Sequence, residues 1–141
     1  MSDTKTFEQI KQAAIQANEA QYGQEIRDKY GDQRVEASNK KVANMSQAQW
    51  DQAQQLSADI LSQLGAAMVQ GDPASPQAQA MCDLHRQWVT LFWPAGTYSK
   101  QAHLALADGY LADERFRAYY DVVGPGATQF LREALGHYCA E

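Results

Sequence analysis

The sequence contains no apolar run long enough to cross a bilayer, which takes about 20 consecutive apolar residues. Its first residues, MSDTKTFEQIK, also lack the apolar core of a secretory signal peptide. Alternating strand patterns are missing too, since every periodic segment repeats with the helical spacing. We therefore expect a single all-α domain of 141 residues that is cytoplasmic and does not bind membranes.

Cysteine is scarce, with only Cys82 and Cys139 in the chain. They fit neither a disulfide framework nor a paired-cysteine metal spacing, so free thiols are expected. His85 follows Cys82 by three residues, near the same helical face, but no carboxylate joins them at a ligand spacing. We expect no metal and no cofactor. A haem or metal protein is the alternative interpretation of these residues, and the colour or metal content of the purified protein would reveal it.

Catalytic signatures are missing as well. The chain has no Gly-rich phosphate loop, no nucleophile elbow and no pair of carboxylates at a recognisable spacing. Asp113 and Glu114 are typical of a helix start, where acidic side chains interact favourably with the exposed backbone N–H groups. The sequence therefore predicts that the protein is not an enzyme.

Basic residues are too few and too scattered for a nucleic-acid surface. Residues 1–45 are neutral, so residues 46–141 carry the whole net charge of −5. Direct nucleic-acid binding is not expected, because neutralising phosphates with Lys and Arg supplies most of such affinity. Two explanations of the acidity remain open, namely attraction of cationic ligands and simple solubility.

Local start and stop signals divide the chain into helices. Gly31 is expected to end a first helix that carries Phe7, Ile10, Ala14 and Ala17 on one stripe, and a short helix is expected over 32–42. Ser46 and Gln49 form a capping box for a helix that ends near Gly71. Further helices are expected from Pro76 to Pro94, over 98–111, after Asp113, and after Gly126.

The composition changes near Asn44. Residues 1–45 are polar, with widely spaced large apolar side chains, whereas residues 46–141 contain the dense core positions. Polar helices are marginal in water and depend on tertiary contacts. We therefore divide the domain into an N-terminal helical segment, 1–45, and a ligand-binding core, 46–141.

Aromatic side chains are concentrated between Trp88 and Asp121, where nine of 34 residues are Trp, Phe, Tyr or His. Such side chains supply large contact areas, and several carry a polar tip. The stretch is interpreted as the wall of a cleft for a bulky, partly apolar ligand. The expected ligand-binding residues are Trp88, Phe92, Trp93, Tyr98, His103 and Tyr110. For Trp88 and Phe92, a role in the core remains equally open.

The same stretch resembles the TipAS family, the thiopeptide-antibiotic recognition domain found behind MerR-type DNA-binding heads. The resemblance rests on H-x-x-W at 85–88, on Phe92-Trp93, on Y-S-x-x-x-H at 98–103, and on L-A-x-x-Y-L-x-D-E-R-F from Leu106. Residues 7–39 and 124–135 are similar to the family's first segment and last helix. The resemblance implies a globin-like fold whose N-terminal segment is mobile without ligand and closes over the bound antibiotic.

The resemblance also implies how a ligand would be held. Thiopeptide-binding members carry a C-S-x-E-x-H run whose cysteine adds to a dehydroalanine of the antibiotic, and here Tyr98 and Gln101 stand at the cysteine and acid positions. A phenol is a poor nucleophile beside a thiolate, so reversible binding is expected.

Two functions follow from these expectations. The first is a drug-sequestering or sensing domain, expected to be a monomer without a DNA-binding head, since no helix-turn-helix precedes Phe7. The alternative is a protein-interaction module derived from a regulator's effector domain, whose groove would hold a partner helix. A clear, enclosed cavity would favour the first function and a shallow, open groove the second.

Overall fold

The computed structural model describes residues 6–94 and 96–140, and within them it contains seven helices and no strand. The helices are α1 (Phe7–Tyr30), α2 (Asp32–Ala43), α3 (Gln47–Gln70), α4 (Pro76–Phe92), α5 (Lys100–Ala112), α6 (Glu114–Asp121) and α7 (Ala127–Tyr138). The expected all-α class is confirmed. Residues 1–5 of the expected N-terminal segment and residue 141 of the expected core lie outside the described part.

Local capping explains where these helices begin and end. Ser46 and Gln49 form the expected capping box at the start of α3, and Gly71 ends that helix with a φ of 81°. Gly31 separates α1 from α2 with a φ of 87°, a conformation that disfavours residues with a Cβ. Asp113 caps α6 by accepting a hydrogen bond from the backbone N–H of Arg115.

The core lies where α3, α4, α5 and α7 meet, with Tyr120 contributed by α6. Small side chains, such as Ala67 and Ala134, alternate with larger ones and let the helices approach closely. Leu64 and Leu135 are fully buried in this cluster. Truncating either leucine to Ala is expected to cost about 2–5 kcal/mol.

Helix α1 does not turn the expected face towards the rest of the protein. Ile10, Ala14 and Ala17 are exposed, whereas Lys11 is only 2% exposed. The Lys11 ammonium donates hydrogen bonds to the carbonyls of Ala43 (2.7 Å) and Met45 (2.9 Å), beside the junction of α2 and α3. The expected stripe was wrong because a charged side chain with distant backbone partners occupies the inner face.

Candidate functional site

A cavity of about 470 Å³ lies between α1 and the aromatic part of the core. This volume is within the range of about 300–1,000 Å³ that small-molecule sites occupy. We call it the aromatic cavity; its lining residues come from α1, α3, α4, α5 and α6 and are Gln21, Tyr22, Ser57, Ile60, Leu61, His85, Trp88, Tyr110, Arg115, Phe116, Tyr119 and Tyr120.

Contacting rings form the walls of this cavity. Phe116 stacks on Tyr22 with ring centroids 5.4 Å apart and lies 5.1 Å from Tyr110. Tyr110 lies 4.9 Å from Tyr120, which is also buried. Because Tyr22 belongs to α1 and the other rings belong to the core, the N-terminal segment completes the cavity wall.

Arg115 joins α1 to the core at the edge of the cavity. Its guanidinium lies 4.5 Å from the centroid of the Tyr22 ring and 2.8 Å from a carboxylate oxygen of Glu25. Hydrogen bonds from Arg115 to the Asp113 carboxylate lower the pKa of Asp113 to about 2. Arg115 is therefore held by an acid of its own helix start while it contacts two side chains of α1.

Two histidines are buried behind the cavity with no exposed surface. Nδ1 of His85 lies 2.8 Å from Nε2 of His103, and the two rings stack with centroids 5.0 Å apart. Burial, and then the neighbouring His103, lower the pKa of His85 to about 3; burial, and then Arg86, lower the pKa of His103 to about 4. Both rings are therefore neutral at physiological pH.

A second cavity of about 320 Å³ lies about one turn nearer the N-terminus of α1, where α1 and α2 face α5 and the segment that follows α4. Asn18, Val35 and Ser38 line it from the N-terminal segment, and Trp93 and Leu106 line it from the core. Both cavities thus lie along the same junction between residues 6–45 and the rest of the chain.

Helix α2 contacts the end of α4 through polar side chains. The Lys41 ammonium donates hydrogen bonds to the carbonyls of Thr90 (2.7 Å) and Trp93, and Ser38 donates to the carbonyl of Phe92 (3.1 Å). These carbonyls belong to the C-terminal turn of α4, where a cation is favourable and where backbone acceptors lack partners inside the helix.

The six expected site residues do not all line one cavity. Trp88 and Tyr110 line the aromatic cavity, and Trp93 lines the second one. Phe92 lies against Trp88, with ring centroids 4.9 Å apart. His103 and Tyr98 lie behind the walls. The Tyr98 hydroxyl is 2.9 Å from Nδ1 of His103, and the centroids of the Tyr98 and Trp93 rings are 6.1 Å apart.

Several lining residues were absent from the expected site. Phe116, Tyr119 and Tyr120 belong to the aromatic stretch, and their spacing along α6 was a signal that could have included them. Tyr22 and Arg115 meet across more than 90 residues of sequence, which no local pattern indicates. His85 also lines the cavity, although it was not among the expected ligand-binding residues. Within the described residues no group of three His, Cys, Asp or Glu side chains could hold a metal ion.

Neither cysteine is poised to react. Cys82 and Cys139 are buried free thiols, and burial, followed by the neighbouring Cys139, raises the pKa of Cys82 to about 12. Burial also raises the pKa of Cys139. Both thiols are therefore protonated at neutral pH, the state in which they are poor nucleophiles.

Among the described helices, none combines the length and the apolarity that crossing a membrane requires. No solved structure matches the chain significantly.

The chain is similar to curated transcriptional activators from two bacteria. The HTH-type transcriptional activator TipA of Streptomyces coelicolor is 27% identical over 117 residues, which are 82% of this chain and 46% of that protein. The HTH-type transcriptional activator mta of Bacillus subtilis is 26% identical over 139 residues, which are 99% of this chain and 53% of that protein. The chain thus spans about half the length of the curated relatives that it matches.

The profile of the TipAS antibiotic-recognition domain matches residues 22–138, from the Tyr22 ring on α1 to the end of α7. The matched range contains every residue of the aromatic cavity except Gln21. The chain therefore belongs to the TipAS antibiotic-recognition family.

Proposed function

We propose that the protein reversibly binds a bulky, partly apolar antibiotic or similar small molecule in the aromatic cavity, as a sequestering or sensing domain that is not catalytic. The observation that carries the proposal is a drug-sized cavity walled by contacting aromatic rings in a chain of an antibiotic-recognition family. The cavity is partly open rather than enclosed, and its volume and aromatic walls support a small molecule over the partner helix that a protein-interaction module would hold.

Binding in this proposal uses the six aromatic residues in different ways. Trp88 and Tyr110 contact the ligand directly, while Phe92 supports Trp88 from behind. His103 and Tyr98 act through His85, and Trp93 belongs to an extension of the site in the second cavity. We also propose that the protein acts as a monomer, because residues of one chain line both cavities, and that it acts in the cytoplasm.

The N-terminal segment, residues 1–45 in this proposal, is a lid over the core, 46–141. A macrocyclic antibiotic is larger than a cavity of about 470 Å³, so it enters only when α1 and α2 move away and the two cavities join. The described contacts that must break include Phe7 on Trp50, Tyr22 on Phe116, Glu25 on Arg115, and Ser38 and Lys41 on α4. A ligand that touches both lid and core stabilises the closed form.

Charge also limits the ligand. Although the protein is acidic, Arg115 supplies the formal charge among the residues that line the aromatic cavity. Its guanidinium is paired with the carboxylates of Asp113 and Glu25, so the cavity wall carries no uncompensated charge and uncharged molecules are favoured. Of the two explanations of the acidity, solubility fits the cavity better.

A thermal-shift screen against thiopeptides and other large natural-product antibiotics tests the proposal. We expect at least one uncharged compound to raise the unfolding temperature with saturable dose dependence, because ligands that bind only the folded state stabilise it. A panel in which no compound raises the unfolding temperature contradicts the proposal.

A further inference from the structure

The Tyr22 ring of α1 lies in the aromatic cavity in a different way from the core rings. It stacks on Phe116 with centroids 5.4 Å apart and an angle of 15° between the ring planes. The core rings meet at steeper angles, since Tyr110 makes 39° with Phe116 and 42° with Tyr120. A nearly parallel pair presents one flat face to another, an arrangement that any planar aromatic ring can adopt in place of the tyrosine.

A cation also holds the Tyr22 ring. The guanidinium carbon of Arg115 lies 4.5 Å from the centroid of this ring, a distance at which a cation attracts the face of an aromatic ring. Arg115 and Phe116 are neighbours in the sequence, so both side chains that hold the ring come from the first turn of α6. We call the place that these two side chains offer to a flat ring the ring site.

Contacts within the core position the ring site independently of α1. The Asp113 carboxylate accepts hydrogen bonds from the Arg115 side chain at 3.0 Å and 2.6 Å. Phe116 lies against Tyr110, which is only 4% exposed. Because none of these contacts involves the N-terminal segment, Arg115 and Phe116 should keep their positions when the Tyr22 ring turns away.

We propose that the Tyr22 ring is an internal competitor, which fills the ring site in the free protein and gives it up to a planar aromatic ring of the ligand. This inference rests on the proposed function and deepens it, because it names the part of the ligand that the aromatic cavity recognises. Tyr22 is half-buried, so a change of side-chain rotamer can turn its ring towards solvent. The ion pair between Glu25 and Arg115 does not involve the ring, so α1 can lie on the core again once the ligand is in place.

The exchange of rings affects the affinity for the ligand. A planar ring gains contacts with Phe116 and Arg115 only when Tyr22 has left, so its apparent affinity is reduced by the fraction of molecules in which the ring site is filled. Removing the Tyr22 ring should therefore tighten the binding of a planar ring. If Tyr22 were only part of the cavity wall, its removal would take away a contact and weaken binding.

Calorimetric titration with naphthalene-2-carboxamide, an uncharged planar probe, measures the sign of this effect. Decahydronaphthalene-2-carboxamide is the control compound, because it has the same carbon skeleton without a flat ring. Each compound is titrated into the unsubstituted protein, Tyr22→Ala and Tyr119→Ala, and circular dichroism checks that both variants fold. Tyr119→Ala is the matched control, since Tyr119 also lines the cavity but contacts Tyr120 edge-on and has its hydroxyl beside Ser57.

Tyr22→Ala should bind naphthalene-2-carboxamide about two- to tenfold more tightly than the unsubstituted protein does, which is the range expected for the loss of one competing aromatic pair. Tyr119→Ala should bind it no more tightly, because the Tyr119 ring does not fill the ring site. The saturated compound should bind more weakly and should gain nothing in Tyr22→Ala. In NMR spectra of the unsubstituted protein, nuclear Overhauser contacts between Tyr22 and Phe116 should give way to contacts between the probe and Phe116.

Unchanged or weaker binding of naphthalene-2-carboxamide by folded Tyr22→Ala would overturn the proposal, as would a probe that binds none of the proteins. An equal gain in Tyr119→Ala, or for the saturated compound in Tyr22→Ala, would also overturn it, because added space rather than a vacated ring site would then explain the gain. The probe is not an antibiotic, so these results do not depend on the thermal-shift screen, and a failure of this inference is distinguishable from a failure of the proposed function.

Discussion

At the scale of single residues, the position of Tyr98 separates this chain from a covalent trap. Burial, and then the neighbouring Cys139, raise the pKa of Tyr98 to about 12, so its phenol is protonated at neutral pH. Cys82 is equally unreactive, with a pKa of about 12. The residues that could attack an electrophilic antibiotic are therefore held in their non-nucleophilic forms.

We predict that thiostrepton, a thiopeptide, leaves no covalent adduct on the protein. Intact mass measured under denaturing conditions should equal the mass of the chain, because no thiolate faces a cavity. Tyr98→Cys is the comparison variant, because the resemblance implies a reactive thiol at this position, and an adduct on that variant alone would show that the thiopeptide reaches residue 98. An adduct on the unsubstituted chain contradicts the prediction, and Cys82→Ala or Cys139→Ala would then locate it.

The buried histidines predict a pH dependence of stability. Their folded-state pKa values, about 3 and about 4, lie below the unfolded value of 6.5, so the unfolded chain binds more protons between these limits. Stability is fully present above pH 6.5 and is lost as the pH falls. Because the unfolded chain protonates both rings, the free energy of unfolding should fall by about 2 kcal/mol between pH 7 and pH 5.5.

Urea unfolding at a series of pH values measures this loss. The ring resonances of His85 and His103 should stay at their neutral positions in the folded protein over the same range. Imidazolium signals from these two rings at pH 5.5 in folded protein would contradict the assignment.

At the scale of helices, the sequence predicted the boundaries well because the signals are local. Gly31, the Ser46 and Gln49 pair, Gly71 and Asp113 each act within one turn of their own position. The inner face of α1 could not be predicted, because Lys11 is buried through carbonyls 32 and 34 residues away. Hydrophobic periodicity does not encode a partner of that kind.

The candidate site, like the helices, was predictable only where the signal is local in the sequence. The aromatic stretch predicted Trp88 and Tyr110 as ligand-binding residues, and both line the aromatic cavity. The contacts of Tyr22 with Phe116 and of His85 with His103 depend on how distant helices meet. Composition indicates which side chains suit a site, but tertiary packing decides which of them share a wall.

The proposed lid leads to a prediction for α2. Lys41 holds α2 on the end of α4, so Lys41→Ala should increase the population of the open form. Amide exchange should become faster in residues 7–43, while residues 50–64 of α3 remain protected. Lys40→Ala is the matched control, because Lys40 is the exposed neighbour on the same helix.

Equal amide-exchange rates of residues 7–43 in Lys41→Ala and Lys40→Ala would show that the contacts with α4 do not hold the N-terminal segment closed. Acceleration in α3 to the same degree as in α1 would mean that the substitution loosens the whole domain rather than the lid.

At the scale of the whole molecule, the aromatic cavity connects the parts described above. Its walls join α1 to α3, α4, α5 and α6. Arg115 contacts α1 at the edge of this cavity, and Lys41 of α2 contacts the end of α4. Under the proposed function, a ligand that touches both parts of the chain would strengthen these contacts between residues 6–45 and the core.

The central claim is that this cavity holds the ligand, and two serines on α3 allow a direct test. Ser57 lines the cavity, whereas Ser62 is exposed further along the same helix. The strongest compound from the screen is titrated calorimetrically into the unsubstituted protein, Ser57→Trp and Ser62→Trp. Filling the cavity with an indole should weaken binding by at least about tenfold, which is 1.4 kcal/mol, while Ser62→Trp should bind as the unsubstituted protein does. Full affinity in a folded Ser57→Trp would place the ligand elsewhere and contradict the account.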